Sequence, residues 1–152
     1  MTTRSWAEVR SDFATRIAAI SSSWWEAPVP FDLFGPSLVP DAVPSGRGHL
    51  SFAVGIPSSE SAGDRQKATD GLLLRSLVAV RFLARIPPKG QVAGVDAGLV
   101  AELALVAQLM AQSASWPVNF QILYDSSTRS TPAPGEWAMH EARFRVYHRV
   151  TI

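Results

Sequence analysis

The chain has 152 residues, with fourteen Lys and Arg against thirteen Asp and Glu, and no cysteine. That length suits one domain able to bury about two-thirds of its unfolded surface, and the missing thiols exclude disulfides, thiolate metal sites and cysteine nucleophiles. A net charge of +1 is too small to mark a nucleic-acid binder.

The segment Met1 to Trp6 lacks the apolar core of a secretory signal, and no apolar run approaches the roughly 20 residues of a membrane span. The expectation is a soluble protein made in the cytoplasm, with no membrane partner.

Ser5 and Glu8 have the spacing of a capping box, in which a hydroxyl and a carboxylate satisfy the free N–H groups that open a helix. Trp6, Val9, Phe13, Ile17 and Ile20 follow as one apolar stripe, so a helix is predicted to run until Ser21 to Ser23 end it. From Trp24 to Gly48 the chain holds Pro28, Pro30, Pro36, Pro40 and Pro44, and neither helix nor central strand runs through such a segment. Its Trp24, Trp25, Phe31, Leu33 and Phe34 either fold back on the domain's own core or form an arm packed on a neighbouring subunit.

Leu50, Phe52, Val54 and Ile56 alternate with small residues as a half-buried strand does, and Pro57 is expected to stop it. In Ser58 to Gly71 every residue is polar, charged, Ala or Gly, and the segment is read as a flexible loop, with Arg65, Gln66 and Lys67 as candidate contacts to a partner. A long strand is predicted from Leu72 to Ile86, its core face carrying Leu74, Val78, Val80, Phe82 and Ile86. The final strand, ending at Ile152, sets Ala142, Phe144, Val146, Val150 and Ile152 on one face. Their other faces carry Arg75, Arg81, Arg85, Arg143, Arg145 and Arg149, a candidate basic sheet surface or a solvated one.

Between these strands lie a Pro87-Pro88-Lys89-Gly90 break, a helix expected from about Ala97 to Ser113 after an Asp96 cap, and a strand near Val118 to Asp125. Leu99, Leu103, Val106 and Met110 form the expected core stripe of that helix. Leu105 and Leu109 fall on the other side, which marks them as a candidate subunit interface together with Trp24, Trp25, Phe31 and Phe34. The fold class is therefore α+β, one domain with a mainly antiparallel four-stranded sheet whose one face is covered by two helices.

Catalytic signals are weak. His140 and His148 share a strand face but stand eight residues apart, roughly 26 Å at strand rise, too far to chelate one metal. No serine sits in a Gly-x-Ser-x-Gly elbow, Pro44 to Gly48 lacks the ending of a phosphate loop, and Glu60, Asp64 and Asp70 lack calcium-loop spacing. No catalytic residue, metal or cofactor is expected, and the chain is read as a non-enzyme.

The order of elements, with Arg75 to Lys89 followed by the Asp96 helix and Gly135-Glu136-Trp137 leading into the strand through Tyr147-His148-Arg149, resembles the tail terminator proteins of long-tailed bacteriophages, the minor tail protein U type of lambda-like phages. The resemblance implies a structural protein of the virion neck, assembled in the host cytoplasm as a homo-oligomeric ring, usually a hexamer. Such a ring caps the tail tube protein, ends its polymerisation and joins it to the head connector or stopper, with DNA only as passing cargo and Arg65, Gln66 and Lys67 as candidate contacts to the tail. The alternatives are another neck or tail-completion protein and a small nucleic-acid-binding domain.

Overall fold

Ser5 Oγ accepts the Glu8 N–H at 3.2 Å while the Glu8 carboxylate accepts the Ser5 N–H at 2.8 Å, so the first helix, α1 (Trp6–Ala18), opens on the capping box its sequence encodes. The structure is a computed structural model that describes residues 3–24, 28, 49–63, 71–87, 89–111, 121–133 and 137–151. The other elements are β1 (Phe52–Ser61), β2 (Leu72–Arg85), α2 (Gln91–Met110), β3 (Gln121–Ala133) and β4 (Trp137–Val150). The strands form one antiparallel sheet in the order β1-β2-β4-β3, an α+β single-domain fold.

The central pair runs in unbroken register from Leu72 opposite Val150 to Arg85 opposite Trp137. Alternation places Val78, Val80, Phe82, Ala142, Phe144 and Val146 on the helix-covered face, all essentially inaccessible. Against them α1 presents Val9, Phe13 and Ile17, with Phe13 meeting Phe144 edge-on at 5.8 Å. Trp24 is 4% exposed and packs edge-on against Phe52 and Phe82, so this tryptophan belongs to the domain's own core. Trp25, Phe31, Leu33 and Phe34 lie outside the described residues, as do Arg65, Gln66, Lys67 and Ile152.

The edge strands depart from the sequence expectation. Pro57 does not stop β1, because the register shifts between Gly55 and Ser58 and an outermost strand can carry a residue that donates no ladder bond. Ser58 to Ser61 therefore belong to the sheet rather than to the polar loop. Strand β3 begins at Gln121 and extends to Ala133, well past Asp125. Its Ser/Thr-rich half looks like loop sequence, yet it pairs with β4 through two register shifts, as polar sheet edges commonly do.

The largest correction concerns α2. It starts at Gln91 behind Gly90, whose φ of 82° lies in the left-handed region, and Asp96 sits exposed within the helix instead of capping it. The buried side carries Gly94, Gly98, Glu102, Leu105 and Leu109. Leu105 and Leu109 are 0% exposed members of the core, so burial within the subunit rules them out as an interface. Three members of the expected core stripe are turned outward, Leu99 at 38%, Leu103 at 69% and Met110 at 37% exposure, while Val106 is half-buried against the core.

Glycine decides this rotation. A Cβ at Gly98 would stand 2.8 Å from His140 Nε2, and one at Gly94 would stand 2.9 Å from Pro87 Cδ, so α2 approaches the sheet at Gly98, and the segment just after β2 at Gly94, only because both side chains are absent. The helix has 20 residues and a mean hydropathy of 1.6, long and apolar enough by length and composition to cross a membrane, which the reading of apolar runs missed. In this fold it packs on α1, β2, β3 and β4.

Candidate functional site

The arginine face of the sheet carries its own counter-ions. Arg75 Nε donates to Glu60 at 2.6 Å, and Arg145 Nε donates to Asp125 at 2.9 Å. Arg81 and Arg143 converge on Glu141, which is 6% exposed. Burial would raise the Glu141 carboxyl, but the hydrogen bonds from Arg81 and Arg143 outweigh it and hold the group below the ordinary carboxylate value. Arg85 is exposed beside His49, whose ring is pushed down by burial and then by the Arg85 charge. Arg149 is half-buried, and its carbonyl accepts the Arg4 N–H at 2.7 Å. The six arginines thus share one face, as their spacing implies, but four of them already neutralise Glu60, Asp125 and Glu141. A free basic surface is corrected to a lattice of ion pairs.

Both histidines of β4 point into the helix-covered face. His148 is 1% exposed, and its Nδ1 lies 2.8 Å from the Arg4 carbonyl, an atom that only accepts, so Nδ1 donates. In the neutral ring Nε2 then accepts from the Ser76 hydroxyl at 2.6 Å. Ser76 Oγ in turn accepts from Ser59 at 2.7 Å, and Ser59 accepts the Trp6 indole N–H at 2.9 Å. The chain of bonds has one consistent direction from Trp6 to Arg4. A serine beside a histidine is the pairing of nucleophilic catalysis, but Ser76 is sealed at 0% exposure. What the network does is strap the N-terminal segment to β1, β2 and β4.

His140 is 3% exposed, stacked on Phe82 at 4.7 Å, and its Nδ1 lies 3.0 Å from Glu102 Oε1. The other Glu102 oxygen pairs with Arg129 of β3. Glu102 is the one carboxylate α2 inserts under itself, accepted because two strands supply partners. Burial lowers the His140 pKa, with the Glu102 hydrogen bond opposing.

This gives a pH dependence. The unfolded histidines protonate near 6.5 while folded His140 and His49 resist, so stability is full above about 6.5 and declines as pH falls toward the depressed folded values. Thermal melts at pH 7.5, 6.5 and 5.5 should show that decline, shallower in a His140→Gln variant. A flat or rising Tm on acidification contradicts it.

The remaining feature is apolar. Val92 (76%), Val95 (45%), Leu99, Val100 (67%), Leu103 and Met110 line the outward side of α2. Asp96 is the exposed charge among them, since the helix's other charged residue, Glu102, is buried. Among the described residues no element covers this stripe. Elsewhere a cleft of about 500 Å³ lies between α1 and β1, lined by Trp6, Ala7, Arg10 and Ile56. The sequence reading missed both surfaces; the signal for the first was the Gly94 and Gly98 pair, which marks the side of α2 that approaches another element. No protein-family model matches the chain, and no curated protein matches it either.

Proposed function

We propose that this chain is a structural assembly protein of a long-tailed bacteriophage, a tail terminator whose ring, in the manner of a hexamer, caps the tail tube and offers a surface to the head connector. The observation that carries the reading is the outward apolar stripe of α2, six large side chains on one helix that water does not stabilise and that burial against a second protein surface does. The element order α-β-β-α-β-β, which the resemblance implies, supports it as well. The face that the arginines share fits DNA as passing cargo better than DNA as a ligand, because charges already paired with carboxylates release few counter-ions on binding.

Adding the purified protein to polymerising tail tubes tests the proposal. The expected result is tubes of uniform length with density closing one end in electron micrographs, and overgrown tubes when Leu103→Glu replaces the parent. Unchanged length together with loss of head attachment would instead indicate another neck or tail-completion protein.

A further inference from the structure

The subunit contact of such a ring needs two complementary surfaces on one chain, because a head-to-tail contact repeated around an axis uses different patches of each copy. The described residues offer two. The α2 stripe is convex, apolar and carries the exposed acid Asp96; the α1–β1 cleft is concave, walled by Trp6 and Ile56, and carries Arg10. Trp6 is 45% exposed, yet its indole N–H is fixed on Ser59, so the apolar wall of the cleft is held in place before any partner arrives. Neither Arg10 nor Asp96 has an ion-pair partner among the described residues.

The two surfaces sit on different elements. The cleft lies between α1 and β1, the strand at one edge of the sheet, whereas the stripe is on the outward side of α2, which packs on α1, β2, β4 and the opposite edge strand β3. From the exposures of its six large residues, the stripe offers on the order of 550 Å² of surface, about two-thirds of the ~800 Å² each partner gives a standard interface.

We infer that copies of this chain join head to tail, the outward stripe of α2 in one copy seating on the α1–β1 cleft of the next with Asp96 opposite Arg10. The inference rests on the oligomeric reading above. It replaces Leu105 and Leu109 with surfaces that are accessible. The occupant is a second copy rather than a lipid surface, because the stripe carries an acid and no base, whereas anionic lipid headgroups attract bases.

Two variants test the contact. Ala7→Arg fills the cleft and leaves the stripe free; Leu103→Glu spoils the stripe and leaves the cleft free. Both positions are exposed, and circular dichroism with a thermal melt qualifies each variant, Val100→Glu repeating the second arm at another exposed site. In sedimentation velocity the parent should form closed oligomers, each variant alone should stay monomeric, and their equimolar mixture should form a one-to-one dimer and nothing larger. A parent that remains monomeric at about 100 μM, a mixture that stays monomeric, or an Ala7→Arg protein that still pairs through α2 alone overturns the inference. Arg10→Asp or Asp96→Arg alone should weaken association about three- to fivefold, and the double reversal should restore it; no effect of the singles also overturns it. A one-to-one dimer from the mixture, with a parent that fails to cap tails, removes the phage reading and leaves the contact standing. Capped tails without that dimer do the reverse.

Discussion

Changing Leu105 and Leu109 together to glutamate should abolish the fold rather than release a folded monomer. Both side chains are 0% exposed and lie in one cluster with Phe13, Phe52, Phe82 and Phe144. Truncating one buried leucine to alanine costs about 2 to 5 kcal/mol, and a carboxylate in its place adds the cost of an unpartnered polar group. Two such changes match or exceed the ~5 to 15 kcal/mol that holds an ordinary domain together. Urea titration followed by circular dichroism should show no cooperative transition in the double variant. Leu103→Glu, on the outward side of the same helix, should melt within about 0.5 kcal/mol of the parent. A cooperative, native-like transition in the double variant would place the two leucines outside the core.

Removal of Glu102 is the second large effect expected. In Glu102→Ala the buried His140 loses the acceptor 3.0 Å from its Nδ1, and an unsatisfied buried donor costs about 1 to 3 kcal/mol. Arg129 also loses its partner, but its side chain is 48% exposed and water takes over most of that role. The sum is about 1 to 3 kcal/mol in urea unfolding. Glu102→Gln keeps an oxygen for His140 and should cost about half as much. Pairing Glu102→Ala with His140→Phe should recover part of the loss, since it removes the orphaned donor and keeps a ring against Phe82. Equal costs for the Ala and Gln variants, with no recovery in the double variant, would mean that the hydrogen bond to His140 contributes nothing.

These two effects sit on the helix whose orientation was least legible before the tertiary structure. Local chemistry was readable where the partners are neighbours along the chain. Ser5 and Glu8 find each other three residues apart, and Val9, Phe13 and Ile17 share one side of α1 whatever lies opposite. Period two settled which residues of β2 and β4 share a face, because a strand has only two. It did not reveal that Glu60, Asp125 and Glu141 would meet the arginines, since those pairings depend on which strands lie side by side.

For α2 the periodicity was real but undecided, because apolar residues occur on both sides of the helix. By itself the sequence determined the α+β class, the capped first helix, the two long central strands and the two faces of the sheet. The tertiary structure alone decided which side of α2 is core, that Pro57 lies within an edge strand, and that a buried carboxylate is tolerated at Glu102. The physical reason is distance along the chain. Glycines set how closely a helix approaches the sheet, and His140 and Arg129, which make that carboxylate tolerable, lie 38 and 27 residues away from it, where no local pattern records them.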